Sequence, residues 1–243
     1  MGQLEGKISI ITGGGTGIGL GIARAFVKEG AKVVLAARNL PRLEEAANEL
    51  QGLGGTVEVV PTDVTQEAEV QSLFSKTMNT FGRLDIQVNN SGAFDGGPID
   101  EITLETWNKV IGVNLTGVFL CTREAMRIMK TQKGGRIINI GSISSRMPRM
   151  NSAPYTSSKH AVIGLTKSTA LEGRPYGISA GALHPGNVEV EWRAKSTTSM
   201  DQESMMTPDD IAVAALAMAV LPPYVNMLDT TVLPVEQLYV GRG

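Results

Sequence analysis

A tyrosine and a lysine stand four positions apart in the stretch YTSSK, at Tyr155 and Lys159. If this segment is helical, both side chains lie on one face of the helix. A buried or ligand-facing ammonium there favours the phenolate and lowers the pKa of the tyrosine from its ordinary value of about 10. Such a tyrosine can give and take a proton near neutral pH. Because the spacing is common, the alternative is a surface helix whose two side chains have no joint function.

A glycine-rich turn, TGGGTGIG at residues 12–19, follows a β-branched run and opens a helical pattern. Gly13 permits a tight turn, Gly17 lets the backbone approach a pyrophosphate, and Gly19 lets the helix pack closely on a sheet. The helix N-terminus offers free N–H groups to an anion. The spacing G-x-x-x-G-x-G differs from the G-x-G-x-x-G fingerprint, and no lysine completes a Walker motif. A dinucleotide site is predicted, with a turn that binds no ligand as the alternative.

The end of the second predicted strand reads AARN, so Arg38 and Asn39 stand where an NAD site usually has a carboxylate. A carboxylate repels a 2′-phosphate, whereas Arg38 can bind one through paired donors. Arg42 is a possible second cation. The sequence therefore favours NADP(H), with NAD(H) possible; an ordinary solvated arginine is the alternative for Arg38.

Short β-branched runs alternate with longer helical patterns along the chain. The six predicted strands are 7–12, 32–37, 56–60, 84–90, 134–142 and 178–185. The predicted helices are 17–30, 40–54, 67–82, one or two within 103–131, and 153–173. This alternation predicts an α/β fold, a Rossmann-like doubly wound parallel sheet with helices on both faces. Because no linker or repeat divides the chain, residues 1–243 are predicted to form a single domain.

Composition excludes several classes of function. A net charge of −2 gives no general attraction to nucleic acid or to anionic membranes. The longest apolar run, residues 211–221, is too short to span a bilayer. The N-terminus does not resemble a signal peptide, and Cys121 is a lone cysteine that cannot form an internal disulfide. We therefore expect a soluble, cytoplasmic protein with no nucleic-acid or membrane partner.

The stretch from Asn187 to Met206 interrupts the alternation. It is polar, contains methionines, and follows the sixth predicted strand, where open sheets bind their ligands. We interpret residues 187–206 as a substrate lid, with an inert surface insertion as the alternative.

Seven motifs in order make the sequence resemble the short-chain dehydrogenase/reductase family, in its single-domain form of about 250 residues. They are TGGGTGIG (12–19), DV (63–64), NNSG (89–92), VNLTGVF (113–119), Ser142, YTSSK (155–159) and HPGNV (184–188). The resemblance extends from about residue 5 to 220.

The resemblance implies a catalytic set of four residues. Tyr155 is implied to be the general acid/base, and Lys159 to lower its pKa and hold the nicotinamide ribose. Ser142 is implied to hydrogen-bond the reacting oxygen, and Asn114 to open a helix and anchor a water that links Lys159 to solvent. The implied coenzyme contacts are Gly13, Thr16, Gly17, Ile18, Gly19, Arg38, Asn39, Asp63, Val64, Asn90, Ser91, Gly92, Tyr155, Lys159, Pro185, Gly186 and Val188.

The sequence departs from the usual family pattern in three places. NNSG replaces NNAG, Val190 stands where a threonine often contacts the coenzyme, and the C-terminus lacks the usual glycine-rich ending. The resemblance also implies a homo-oligomer, a tetramer or dimer formed through helices near 104–131 and 155–173.

The expected function is therefore an NADP(H)-dependent oxidoreductase that interconverts a ketone or aldehyde and an alcohol. The alternative is a non-catalytic dinucleotide-binding sensor or scaffold. No cluster has metal-ligand spacing, so no metal is expected, and His160 and His184 are expected to be structural. The substrate stays open: Met147, Met150, Trp192 and Met200 suggest an apolar pocket, whereas Arg146, Arg149 and Arg193 suggest an anionic group.

Overall fold

The computed structural model describes residues 2–190 and 204–238 of the chain, which alternate between strands and helices. The strands are β1 (Ile8–Thr12), β2 (Lys32–Ala37), β3 (Val57–Pro61), β4 (Ile86–Asn89), β5 (Gly135–Ile140), β6 (Ile178–Pro185) and β7 (Asp229–Val232). The helices are α1 (Gly17–Lys28), α2 (Leu40–Gly52), α3 (Glu67–Phe81), α4 (Leu104–Ile111), α5 (Gly117–Gln132), α6 (Ala153–Gly173) and α7 (Pro208–Val220).

The strands form one parallel sheet in the order β3-β2-β1-β4-β5-β6-β7. The chain starts in the middle, winds outward through β2 and β3, and then crosses to β4 on the other side of β1. The loops that leave β1 and β4 therefore diverge. Such a switch point opens a crevice at the carboxyl ends of the strands. The predicted doubly wound fold is confirmed.

Two hydrophobic layers enclose the sheet. On one face α1, α2 and α7 pack through side chains such as Phe26 and Leu43. On the other face α3 and α5 pack through Leu73 and Met129, and Ala170 of α6 joins them. Strand β1 is buried throughout, as expected for a parallel strand that is covered on both faces. Because both faces are covered, polar groups are concentrated at the ends of the strands.

Two elements near the C-terminus were not predicted. The apolar run at 211–221 lies mostly within α7, whose first turn is fixed by a reciprocal capping box between Thr207 and Asp210. Strand β7 has the sequence DTTV and pairs with the end of β6. This short edge strand does not alternate between apolar and polar residues, so sequence pattern gives no sign that it is a strand. It forms because it pairs with β6.

The helical region from Leu104 to Gln132 corrects one implied feature. Asn114 does not open a helix, because it lies in a π-helical turn, Gly112–Thr116, that joins α4 to α5. The flanking Ile111 and Gly117 keep right-handed helical dihedral angles. The N-cap is instead Thr103, whose side chain accepts a hydrogen bond from the N–H of Thr106.

The predicted lid lies largely outside the described residues, since the structure omits 191–203. Its two flanks are described, and they pair with each other. Val188 and Met206 form an isolated parallel bridge. The N–H of Glu189 donates to the carbonyl of Met206 at 2.9 Å, and the N–H of Met206 donates to the carbonyl of Asn187 at 2.9 Å. The chain therefore leaves and returns at a fixed place beside the crevice.

Candidate active site

A continuous groove runs along the carboxyl ends of the strands. One part has a cavity volume of about 560 Å³ and is lined by Ser142, Tyr155 and Lys159. The other part, of about 690 Å³, is lined by Arg38 and Asp63. The two parts share wall residues, which are Gly13, Thr16, Arg42, Ser91, Gly92 and Ala93. The groove thus joins the predicted proton-transfer residues to the predicted phosphate-binding residues.

The glycine-rich turn forms the floor where the two parts meet. Gly13 and Gly17 have φ angles of +64° and +53°, in the left-handed region that favours glycine. Helix α1 begins at Gly17, its N-cap Thr16 makes no side-chain cap, and its first turn has no acidic residue. Its first N–H groups and the positive end of its dipole therefore suit an anion such as a pyrophosphate.

Asn90 and Thr12 hold the switch point in shape. Nδ2 of Asn90 donates to the carbonyls of Thr12 at 3.0 Å and Gly13 at 3.1 Å. Oγ1 of Thr12 accepts hydrogen bonds from the N–H groups of Asn90 at 3.0 Å and Ser91 at 3.1 Å. The ends of β1 and β4 are thereby tied together. The sequence analysis missed this role of Thr12, although the threonine stands directly before the glycines.

Gly19 lies behind the turn and does not line the groove. A Cβ there would be 2.3 Å from the carbonyl oxygen of Gly13 and 2.5 Å from Nδ2 of Asn90. Its position fits the predicted close packing of helix on sheet; the implied coenzyme contact stays a prediction.

The far end of the groove brings together the residues after β2 and β3. Arg38 and Asn39 are exposed, and Oδ1 of Asn39 accepts a hydrogen bond from the N–H of Arg42 at 3.1 Å, which caps α2. Oδ1 of Asp63 accepts hydrogen bonds from the N–H and the hydroxyl of Thr65 at 2.9 and 2.8 Å. In the described part of the chain Arg38 forms no ion pair. Its guanidinium is therefore available to a phosphate.

The remaining coenzyme contacts implied by the family lie along the same groove. They are Ile18 and Asn90 near the glycine turn, Val64 at the far end, Pro185 at the end of β6, and Gly186 and Val188 after it. Wall residues that were not predicted include Gly15, Thr62 and Val113. These three carry no chemical signature and reach the groove only through the fold.

Lys159 is buried beside Tyr155 on the first two turns of α6. Its Nζ donates to the carbonyl of Ile140 at 2.8 Å and lies 5.7 Å from the centre of the Tyr155 ring. Tyr155 is half-buried at the groove wall. Burial lowers the pKa of Lys159 from 10.5 to about 8. The side chain thus places a proton source of near-neutral pKa next to the phenol.

Ser142 is positioned by hydrogen bonds to its backbone and to its hydroxyl. The N–H of Ser144 donates to Oγ of Ser142 at 3.1 Å, so the hydroxyl proton can point into the groove. The N–H of Ser142 donates to Nδ1 of His184 at 3.3 Å. Burial lowers the pKa of His184, against the opposing effect of Asp229, whose Oδ1 lies 3.2 Å from Nε2 without hydrogen-bond alignment. A neutral His184 therefore supports the backbone of Ser142, in line with its predicted structural role.

Asn114 lies behind the groove and is fully buried. Its Oδ1 accepts from the N–H of Ala93 at 2.7 Å, and its Nδ2 donates to the carbonyl of Ala93 at 2.9 Å and to Oγ of Ser158 at 3.1 Å. Ser158 in turn donates to the carbonyl of Tyr155 at 2.7 Å. Asn114 thus connects the loop after β4 to the first turn of α6. The implied bound water stays a prediction.

The part of the groove that contains Tyr155 has several apolar wall residues. Phe94 packs edge-on against Tyr155, with 5.1 Å between ring centres. The other apolar wall residues include Ile143, Val188 and Val190. Arg149 also lines this part. The sequence analysis named Arg149 among several candidates, but nothing in its spacing separated it from Arg146.

Residues 2–190 and 204–238 contain neither a metal-ligand cluster nor a membrane-spanning helix. No group of three or more His, Cys, Asp or Glu residues there could hold a metal ion. No helix in the same ranges is long and apolar enough to cross a membrane. His160 is exposed on α6, with Nδ1 2.9 Å from the carbonyl oxygen of Thr156.

Two relatives of similar sequence are named as uncharacterized oxidoreductases. An uncharacterized oxidoreductase of Bacillus subtilis (strain 168) is 41% identical over 185 residues, which cover 76% of this chain and 72% of the relative. An uncharacterized oxidoreductase of Staphylococcus aureus (strain MRSA252) is 37% identical over 232 residues, which cover 96% of this chain and 99% of the relative.

Two solved structures have the same fold as this chain. A short-chain type dehydrogenase/reductase from Mycobacterium marinum is 31% identical with a TM-score of 0.90, covering 94% of each chain. A variant of the actinorhodin polyketide ketoreductase with NADPH is 30% identical with a TM-score of 0.89, covering 96% of this chain and 98% of the other. The family model for short chain dehydrogenases matches residues 7–201. The sheet order and the groove fit the family model, the related sequences and the related structures. The chain therefore belongs to the short-chain dehydrogenase/reductase family.

Proposed function

We propose that this protein is an NADP(H)-dependent oxidoreductase that interconverts a ketone or aldehyde and an alcohol. The observation that carries the proposal is the groove, which joins Ser142, Tyr155 and Lys159 at one end to Arg38 at the other. The glycine turn between them fits a pyrophosphate. A bound nicotinamide supplies or accepts the hydride, so the chain itself has to bind, orient and move a proton.

Ser142 and Tyr155 perform the proton chemistry in this proposal. During reduction negative charge develops on the carbonyl oxygen, and the hydroxyl of Ser142 stabilises that charge by donating a hydrogen bond. Tyr155 gives its phenolic proton to the same oxygen. Lys159 stabilises the resulting phenolate, because its ammonium lies on the same helical face. In the oxidation direction the phenolate takes the proton back.

The proton-transfer role is tested with Tyr155→Phe. We expect turnover of any carbonyl substrate to fall by roughly 10³-fold, in the middle of the range for loss of a general acid. Coenzyme binding, followed by nicotinamide fluorescence, should change little because the ring is retained. Turnover that survives in Tyr155→Phe would contradict the assignment. Coenzyme binding without turnover of a broad carbonyl panel by the wild-type protein would favour the non-catalytic sensor or scaffold.

The coenzyme preference rests on Arg38, whose guanidinium lines the far end of the groove. The related ketoreductase structure that contains NADPH is consistent with this preference. Titration with NADPH and NADH at fixed salt should show tighter binding of NADPH. Arg38→Asp should reverse the preference, because a carboxylate repels the 2′-phosphate and accepts from a 2′-hydroxyl. An unchanged preference would exclude this role of Arg38.

The partner in this proposal is a small-molecule carbonyl or alcohol, and the protein acts as a homo-oligomer. The cytoplasmic location expected from the lone Cys121 stays a prediction. Burial raises the pKa of the Cys121 thiol to about 12, so this thiol has no part in the proposed chemistry.

A further inference from the structure

The structure separates the three arginines that the sequence offered for an anionic substrate. Arg146 forms an ion pair with Asp229 and does not line the groove. Arg193 lies outside the described residues. Arg149 lines the groove in the same cavity as Ser142 and Tyr155.

Arg149 is held in place by a neutral group. Its Nη2 donates to Oδ1 of Asn187 at 2.9 Å, and Asn187 is only 1% exposed. The N–H of Asn187 donates to Oε1 of Gln237 at 2.9 Å. A buried amide thus fixes the direction of the guanidinium. No carboxylate in residues 2–190 and 204–238 forms an ion pair with Arg149.

Within residues 2–190 and 204–238, no carboxylate lies at ion-pair distance from the guanidinium of Arg149. The side chain is half-buried, and the adjacent walls of the groove are formed by apolar residues such as Phe94, Ile143 and Val188. A partly desolvated cation without an opposite charge is costly, and an anion that enters the groove relieves that cost. A guanidinium has five N–H donors, and the bond to Asn187 uses one. The fork that remains matches the two oxygens of a carboxylate.

The other cations of this cavity have different positions. Nζ of Lys159 donates to the carbonyl of Ile140 and lies beside the phenol. Arg42 lines the shared wall next to the glycine turn and also the far end of the groove, where the phosphates of a coenzyme are expected. Among the described cations that line the cavity of Tyr155, Arg149 is therefore the one assigned neither to the phenol nor to the coenzyme phosphates.

We propose that the substrate carries a carboxylate that Arg149 binds, so that the enzyme interconverts an oxo acid and a hydroxy acid. This inference rests on the proposed function and names its substrate class. In the reduction, the oxo carbon gains a hydride from the reduced coenzyme and the oxo oxygen gains the phenolic proton of Tyr155. The products are the hydroxy acid and the oxidised coenzyme, and the carboxylate takes part only by binding.

The test compares acids with their own esters in the presence of NADPH. Suitable pairs are phenylglyoxylate and its methyl ester, acetoacetate and its ethyl ester, and 4-oxopentanoate and its ethyl ester, which vary the distance from the ketone to the carboxylate. Dihydroxyacetone phosphate, paired with dihydroxyacetone, tests a phosphate in place of the carboxylate. We expect kcat/KM for at least one acid to exceed that of its ester by roughly 10- to 100-fold, as hydrogen bonds to a charged group predict.

Variants of Arg149 show whether this residue is the source of the preference. Arg149→Gln should lower kcat/KM for the acid by roughly 10- to 100-fold, mainly through KM, and leave the ester little changed. Arg149→Lys should restore part of the loss, because a lysine keeps the charge but not the fork. Arg174→Gln is the matched control, since Arg174 is exposed and lies in a short helical turn after α6. This variant removes the same charge and should leave kcat/KM for both the acid and the ester unchanged.

A binding experiment keeps this inference distinguishable from the proposed function. The acids and esters are titrated into NADPH-saturated Tyr155→Phe protein by calorimetry. Acids that bind more tightly than esters in an Arg149-dependent way support the inference, even if the wild-type protein turns over none of them. Equal affinity for acids and esters, or an acid preference that survives Arg149→Gln, would overturn it while the oxidoreductase assignment stands. A preference for dihydroxyacetone phosphate over every acid would overturn the inference that the bound group is a carboxylate.

Discussion

Lys159 is a single residue whose contribution to function opposes its contribution to stability. It is 5% exposed, and its ammonium has one hydrogen-bond acceptor in the carbonyl of Ile140. Burial moves the lysine pKa from 10.5 to about 8, which means that the folded protein disfavours the charged form. In the proposed mechanism the same charge stabilises a phenolate at Tyr155. We therefore expect Lys159 to lower the free energy of unfolding in exchange for its proposed role in proton transfer.

Replacing Lys159 should make the ligand-free protein more stable while it removes activity. At 1.36 kcal/mol per unit, the shift of the Lys159 pKa corresponds to about 3 kcal/mol. The lost bond to Ile140 offsets about 1 kcal/mol of that. We expect Lys159→Met to raise the free energy of unfolding at pH 7 by about 2 kcal/mol, measured by urea denaturation.

The stability difference between Lys159→Met and the wild-type protein should depend on pH. Between pH 8 and pH 10.5 the unfolded chain binds the lysine proton and the folded chain releases it, so the wild-type protein gains stability relative to the variant as pH rises. The advantage of Lys159→Met should shrink toward pH 10. Lys167→Met, at an exposed position of the same helix, should show no such trend. A variant that is less stable than the wild type at every pH would contradict the argument.

At the scale of elements, the glycine turn and helix α1 form a tightly packed part of the groove. Helix α1 can begin close to the sheet because Gly19 has no side chain toward Gly13 and Asn90. The same approach places the uncapped N-terminus of α1 at the shared wall of the groove. Packing at Gly19 and the proposed phosphate binding at Gly17 therefore depend on the same helix position.

Gly19→Ala should damage both stability and coenzyme binding. The added Cβ meets backbone 2.3 Å away, so the helix has to move. We expect a loss of about 1–3 kcal/mol in urea unfolding, typical of overpacking, and weaker NADPH binding in a fluorescence titration.

A second glycine provides the control for Gly19→Ala. Gly52 is the last residue of α2, and a Cβ there meets nothing within 4 Å. Gly52→Ala should stabilise by about 0.5–1 kcal/mol through helix propensity and leave NADPH binding unchanged. Equal effects at the two positions would show that the close packing at Gly19 is not responsible.

Sequence pattern predicted the elements that local chemistry determines. Runs of β-branched residues located β1 to β6, and the 153–173 pattern matches the bounds of α6. It missed β7, whose residues are polar and only partly buried. The family resemblance wrongly implied that a helix starts at Asn114, which lies instead in a π-helical turn between α4 and α5. Side-chain contacts such as that of Arg149 with Asn187 join residues 38 positions apart, which no local pattern encodes.

For the whole molecule, the order of the strands creates the groove. The chain winds outward on both sides of β1 and β4, and every predicted coenzyme residue that lines the groove follows the carboxyl end of a strand or opens the next helix. The exposed surface of α4, α5 and α6 carries large apolar side chains, among them Leu104, Phe119 and Leu171. Such residues on adjoining helices are consistent with burial between subunits.

The protein should have a mass of two or four times 25.8 kDa in light scattering after size exclusion. Phe119→Glu combined with Leu171→Glu should shift it toward the monomer, since charges are depleted from the cores of such interfaces. Leu53→Glu, at a leucine after α2 whose exposure of 47% is close to the 44% of Phe119, should leave the mass unchanged. A wild-type monomer, or dissociation by all variants alike, would exclude an interface on these helices.

The pairing of Val188 with Met206 has a consequence for how this fold diversifies. Because the two flanks of the 191–203 segment are joined to each other at the edge of the groove, the length and sequence between them can change without moving the strand ends that hold the coenzyme. Under our interpretation of this segment as a substrate lid, we expect its exchange between relatives, from Val190 to Ser204, to change substrate choice. Evolution and protein engineering could then vary the recognised molecule while the proposed coenzyme-binding framework is inherited intact.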